Sequence, residues 1–216
     1  MGTPLFLFDF DQTLSAYDFR KRLPALALAT GVSQYRLASS WWAAGHEAAA
    51  EEGAYATSEE YLTAFREVTG GALTRRQWID ARLAAMTPVP ETLEAVRLAG
   101  ALGTASLLSN NPIIFRDCFP ELAPEAAALL GGNDLVSAIL GARKPDRRIF
   151  ERALAHYGAD AADAMFVDDS AANVAGARAA GLTAFQIRLG GTDANARELV
   201  PAIRAFAADR GHPLVE

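Results

Sequence analysis

Asp9 and Asp11 stand one residue apart at the end of an apolar run, LFLFDFDQTL, residues 5–14. Alternate residues of an extended chain share a side, so the two carboxylates point the same way. Two acids so placed can divide labour, one ionised as nucleophile or ligand, the other carrying a proton. Further along, three more apolar runs are each followed by polar residues fit for chemistry. These are Ser109-Asn110-Asn111, then Arg143-Lys144-Pro145-Asp146, then Asp168-Asp169-Ser170 with Asn173 close behind.

Acids gathered in one place repel one another unless a cation sits among them. Carboxylates with no clustered His or Cys favour a hard ion, which points to Mg²⁺ over zinc. Pro112 marks a helix start just after Ser109, and free N–H groups at a helix start suit an anion. Lys144 adds a fixed positive charge. A cation, a hydroxyl, a lysine and a helix N-terminus together describe a site for a phosphoryl group.

The elements that position these residues are legible in the pattern. Strand-length apolar runs occur at Leu5–Phe8, Ala105–Leu108, Leu135–Ile139, Met165–Val167 and Ala184–Ile187, each bounded by turn-forming or polar residues. Helix-period segments lie between them: Thr92–Ala99 ending at Gly100, Asp146–Tyr157 ending at Gly158, and Ala171–Ala180 ending at Gly181. Alternating strands and helices predict an α/β fold with a doubly wound parallel sheet. Ligands of such sheets bind at the carboxyl ends of the strands, where all the residues above fall.

The first two strands are too far apart in sequence for one crossover. Residues 15–88 read as helical throughout. Phe19, Leu23 and Leu26 share a helix face, as do Leu37, Trp41 and Ala44, and Ile79, Leu83 and Met86. Thr57 and Glu60 have the spacing of a capping box. The expected organisation is a catalytic core of residues 1–14 and 89–216 carrying an all-α cap over residues 15–88, with Pro88-Val89-Pro90 marking the return.

Composition narrows the class. The chain of 216 residues is 51% apolar and 21% charged, as folded globular proteins are. Its net charge of −6, with no basic block longer than Arg20-Lys21-Arg22, argues against nucleic acid or an anionic membrane as partner. The single cysteine, Cys118, forms no disulfide within the chain. With no membrane-length apolar run and no signal-peptide pattern, the expectation is a cytoplasmic protein, monomer or homodimer, acting on a small phosphorylated metabolite.

The order DFDQT, LLSNN, KPDRRIF and FVDDSAANVAGARAAG resembles the four motifs of the haloacid dehalogenase (HAD) superfamily of hydrolases. The helical insert is similar to the cap of its phosphoglycolate-phosphatase-like branch. The resemblance implies a Mg²⁺-dependent phosphatase in which Asp9 is the nucleophile that forms an aspartyl-phosphate and Asp11 the general acid/base. It implies metal ligation by Asp9, the Asp11 carbonyl and Asp169, with Asp168 in support. Ser109 and Lys144 would hold the phosphoryl oxygens, with Thr13 and Asn110 beside them.

This chain departs from the family pattern at Gln12 and Asp168, where glycine is common, and at Asn173, where an acid is frequent. In the insert, Arg20 is the expected specificity contact because it follows the first motif so closely. Trp41 and Trp42 are expected to pack the insert's core, and His46 to lie on a polar face. Alternatives on the same fold are a 2-haloacid dehalogenase, a phosphosugar mutase and a catalytically silent phosphate-ester-binding module. Halide release needs neither a second acid nor a metal, so Asp11, Asp168 and Asp169 favour phosphate.

Overall fold

The structure is a computed structural model and describes residues 2–212. In chain order the elements are β1 (Leu5–Phe8), β2 (Ser15–Tyr17), α1 (Phe19–Thr30), α2 (Gln34–Leu37), α3 (His46–Glu51), α4 (Ser58–Thr69), α5 (Arg75–Leu83) and β3 (Met86–Pro88). There follow α6 (Pro90–Leu102), β4 (Thr104–Ser109), α7 (Ile113–Leu122), α8 (Pro124–Leu130), β5 (Asp134–Val136) and α9 (Ser137–Leu140). The chain closes with α10 (Arg147–Tyr157), β6 (Ala164–Asp168), α11 (Ala171–Ala179), β7 (Thr183–Gln186) and α12 (Leu199–Ala208).

Five strands form one parallel sheet in the order β5-β4-β1-β6-β7. β1 is central, with Phe8 level with Leu107 of β4 and Val167 of β6. This register brings Asp9, Ser109 and Asp168 to one edge, at the switch in strand order. β1 is apolar at every position because both its faces are covered. Leu5 and Leu7 pack with Ile149, Phe150 and Val174 from α10 and α11. Phe6 and Phe8 join the other layer, with Val96, Phe115 and Ile203 from α6, α7 and α12.

Apart from one-residue shifts at several ends, the structure departs from the sequence expectation at β5, α6 and α5, and residues 15–17 and 86–88, expected to be helical, are strands. β5 stops at Val136, and Ser137–Leu140 turns into a short helix, leaving Ile139 exposed. α6 runs through Gly100 to Leu102, because Leu98, Ala99 and Leu102 all have a core to enter. The residue that needs to be glycine is Gly103: a Cβ there would lie 2.2 Å from the Pro4 carbonyl oxygen. α5 stops at Leu83, so Met86 belongs to β3 and does not extend the Ile79–Leu83 face.

The helices α1–α5 are inserted between β2 and β3, which pair antiparallel as a two-stranded ribbon with Tyr17 opposite Met86. Trp41 is fully buried among His46, Tyr55, Tyr61 and Phe65. His46 stacks on Trp41 and meets the Tyr55 hydroxyl, so it is part of this aromatic cluster and not a solvated polar face. The Thr57 hydroxyl caps α4, but Glu60 accepts from Ala56 N–H and not from its own cap residue. The reciprocal box is at Thr74 and Gln77, at the start of α5. Among the described residues, no helix is long and apolar enough to cross a membrane.

Candidate active site

The loop after β1 is a tight turn in which the Phe10 carbonyl accepts from the N–H groups of Thr13, Leu14 and Ser15. Gln12 sits in it at φ +59°, in the left-handed region where glycine is favoured. Its carboxamide offsets that cost by donating to the Tyr17 carbonyl and accepting from the Tyr17 N–H, both at 3.2 Å. The departure at Gln12 therefore leaves the turn intact. None of the turn's main-chain hydrogen bonds uses the Asp11 carbonyl, and the Phe10 and Asp11 N–H groups donate to no other main-chain atom among the described residues.

Asp9 is 8% exposed and central. Its Oδ1 accepts from Ser109 Oγ at 2.8 Å and lies 2.8 Å from Lys144 Nζ. On its other side, Lys144 Nζ lies 2.7 Å from Asp168 Oδ2. Asp9, Lys144 and Asp168 thus form a buried line of alternating charge. Burial pushes the Asp9 carboxyl up to about 7, with Asp168 and Asp11 adding to the rise and Lys144 opposing it. Burial would lower the Lys144 ammonium, but the carboxylates of Asp9 and Asp168 outweigh it and raise it. Burial, then the charge of Asp168, also raises Asp169.

Lys144 owes its place to two neighbours. The Asn110 carboxamide accepts from the Lys144 N–H at 2.9 Å and donates to its carbonyl at 3.0 Å. On the far side, α11 approaches so closely that a Cβ on Gly176 would lie 2.5 Å from the Pro145 carbonyl oxygen. Asn110 is a clamp on Lys144: its Oδ1 and one of its two Nδ2 hydrogens are committed to the Lys144 backbone, which leaves the second Nδ2 hydrogen as a donor.

Asp9, Asp168 and Asp169 can each bring a carboxylate oxygen within 4.8 Å of the others. All-oxygen donors of this kind fit a hard divalent cation such as Mg²⁺. The three are not equivalent. Asp168 is fully buried, and both its oxygens are taken by Ser170 N–H, Lys144 and Asn173. Asp169 is half-buried, and while its carbonyl accepts from Gln186 Nε2, its carboxylate bonds to no other side chain among the described residues. The open donors are therefore Asp9, Asp169 and the Asp11 carbonyl, with Asp168 behind them and Asn173 holding Asp168 in place. Thr13 adds a fully buried hydroxyl that has no hydrogen-bond partner among the described residues. A buried polar atom left so is costly unless a ligand completes it.

Arg20 does not join this constellation. Its side chain is 91% exposed and pairs with Asp18, the N-cap of α1, whose carboxylate holds it on the outer surface. The arginine at the site is Arg82, from the last turn of α5. Its Nη2 lies 2.8 and 2.6 Å from the two Asp11 oxygens. Asn111, gathered in the sequence with Ser109 but given no role there, donates to Ser109 Oγ at 3.0 Å and approaches Asp11 Oδ2 at 3.5 Å.

Residues 3–181 match the family model for haloacid dehalogenase-like hydrolases. The chain belongs to that family. Solved HAD structures share its fold at low sequence identity. A HAD family enzyme from Bacteroides thetaiotaomicron, solved with magnesium and inorganic phosphate, superposes with a TM-score of 0.70 at 18% identity, over 89% of this chain and 98% of the other. A predicted HAD-like hydrolase from Porphyromonas gingivalis gives 0.71 at 21% identity, over 93% and 95%. A 2-haloacid dehalogenase from Pseudomonas syringae pv. Tomato DC3000 gives 0.63 at 20% identity, over 94% and 99%. The HAD fold thus hosts both phosphate-binding and dehalogenating relatives, and the choice between them rests on the residues of this site.

Proposed function

We propose that this HAD-family hydrolase is a Mg²⁺-dependent phosphatase that hydrolyses a small phosphate monoester through an aspartyl-phosphate on Asp9. The observation that carries this reading is the division among the acids. Asp9 is buried between Ser109 and Lys144, Asp11 stands beside it, and Asp9, Asp168 and Asp169 can share one cation. Displacing halide from carbon needs one carboxylate and no proton donor. Displacing an alkoxide from phosphorus needs the rest.

In this reading Asp9 attacks phosphorus while Ser109 Oγ and Lys144 Nζ hold the phosphoryl oxygens. Lys144 is kept in place for that role by Asn110 and Asp168. The Thr13 hydroxyl and the N–H groups of Phe10 and Asp11 are further donors on the same side. Asp11 protonates the leaving oxygen and afterwards takes a proton from the water that cleaves the aspartyl-phosphate. Mg²⁺, held by Asp9, Asp169 and the Asp11 carbonyl, would supply charge neutralisation between nucleophile and substrate. The helices α1–α5 act as the cap that closes the site against bulk water.

The test is hydrolysis of an aryl phosphate by the wild type and by Asp9→Asn, each with Mg²⁺ and with chelator. Activity that needs both Asp9 and Mg²⁺ is the expected outcome. Halide release from 2-haloacids, unaffected by chelator, with no phosphate hydrolysis, would put the dehalogenase reading first.

A further inference from the structure

Arg82 is 2% exposed, yet it lines the cleft of about 350 Å³ that opens above Asp11 between the inserted helices and the sheet edge. Its guanidinium carbon lies over two rings, 4.5 Å from the centroid of Tyr17 and 5.0 Å from that of Phe115. Its Nη2 covers both oxygens of Asp11 and lies 3.4 Å from Asn111 Oδ1. Its Nε is buried with no acceptor. The side chain is therefore fixed in position but only partly satisfied, on the wall where a substrate must enter.

This arrangement conflicts with the role given to Asp11. Asp11 keeps open lone pairs and a partly exposed side chain, but Arg82 Nη2 competes for both of its oxygens with a leaving oxygen. Arg82 cannot simply withdraw, because a buried guanidinium without an anionic partner costs several kcal/mol. Whatever takes Arg82 from Asp11 must itself bring negative oxygens. The phosphoryl group is the anion within reach, since Asn111 links Asp11 to Ser109, and Ser109 lies against Asp9.

We propose that Arg82 is a substrate-contacting residue whose guanidinium passes from Asp11 to a phosphoryl oxygen when the phosphate ester binds, freeing Asp11 to face the leaving group. The assignment rests on the phosphatase reading and deepens it. It makes the inserted helices part of the catalytic machinery, because α5 supplies the residue that exchanges partners. A planar guanidinium with parallel N–H donors suits this exchange, since it binds carboxylate and phosphate with the same geometry.

Binding of inorganic phosphate in the presence of Mg²⁺, followed by calorimetry, tests this in the wild type, Arg82→Gln and Arg82→Lys, alongside kcat and KM on an aryl phosphate. Arg82→Gln should bind phosphate roughly ten- to a hundredfold more weakly, the loss expected for a hydrogen bond to a charged group, with KM rising in step. Arg82→Lys should fall between the two and carries the test if the glutamine variant does not fold. Unchanged or tighter phosphate binding in a folded variant, with the wild type fully active, would show that Arg82 only locks Asp11 and would overturn the assignment. A wild type that neither binds phosphate nor hydrolyses the ester overturns the phosphatase reading and this assignment together.

Discussion

Lys144 and Arg22 are both cations enclosed almost completely, at 3% and 4% exposure, and both are flanked by acids. Their surroundings differ in what is left unspent. Around Lys144, among the described residues, the Thr13 hydroxyl has no partner, the Asp169 carboxylate bonds to no other side chain, and main-chain N–H groups of the turn are free of main-chain acceptors. Around Arg22 what is unspent is a pair of buried N–H donors, Arg22 Nε and Trp78 Nε1, set among aromatic rings. One Glu47 oxygen accepts from both Trp41 Nε1 and the Tyr61 hydroxyl, and the other lies 4.0 Å from Arg22 Nη1. Arg22 itself donates to Tyr17 and rests against the rings of Trp42 and Trp78. Buried charge alone does not mark a site. Nor does an unpartnered polar atom, since both regions have one; the mark at Lys144 is an open carboxylate and a hydroxyl converging with it on the carboxyl ends of parallel strands.

The widest separation between these regions should come from removing the acid of each. Asp9→Asn should lower kcat on an aryl phosphate by about 10⁴-fold or more, as loss of a nucleophile does. Lys144 keeps Asp168 in that variant, so its urea midpoint should not fall below that of the wild type. Glu47→Ala should do the reverse. It strips the acceptor from Trp41 and Tyr61 and leaves Arg22 buried without its acid, at a cost of about 3 kcal/mol. A lowered urea midpoint at unchanged slope is the measurement. If Glu47→Ala unfolds like the wild type, the contrast between the regions is lost.

A smaller effect separates them by pH. In metal-free protein the Asp9 carboxyl titrates at about 7 when folded, against 3.8 for the free group. The folded chain therefore holds a proton that the unfolded chain has released. This contribution to stability is complete below 3.8 and is lost as pH rises through 7. Urea midpoints measured in chelator should fall over that window, and Asp9→Asn should flatten the fall. Added Mg²⁺ should flatten it as well, because a cation beside Asp9 favours the ionised form. A slope that survives in Asp9→Asn belongs to other groups.

The sheet edge was readable because each strand is a short apolar run that stops at residues with chemical side chains, so Asp9, Ser109, Lys144 and Asp168 could be gathered without coordinates. The insert was not readable to that depth. Its arginines differ only in which helix face they occupy, and nearness to the first motif favoured Arg20, which Asp18 holds outside. The signal for Arg82 was its spacing, four residues after Trp78 and three after Ile79, both buried. An arginine on the apolar face of a helix must find an anion, and Asp11 was the acid available. For Asn110 the sequence placed the residue at the edge but not its bonds to the Lys144 backbone. Spacing places a side chain beside a site but does not reveal whether its hydrogen bonds are already committed.

The turn that carries Asp9 and Asp11 offers the finest test of how the site is held. Gln12 combines a left-handed backbone with two hydrogen bonds from its own carboxamide to Tyr17. Gln12→Gly removes the bonds and the strain together, so the two changes partly cancel, and stability should stay within about 1 kcal/mol of the wild type. Gln12→Ala removes the bonds and keeps the strain, so it should be the less stable of the two by about 1 kcal/mol. Thermal melts of the three proteins give the order directly. The kcat of Gln12→Gly should stay within a few-fold of the wild type, since the Phe10 carbonyl still gathers the N–H groups of Thr13, Leu14 and Ser15. An alanine variant as stable as the glycine variant would mean that the turn does not enforce φ +59° at this position, and that Asp9 and Asp11 owe their placement to the sheet and to Arg82 instead.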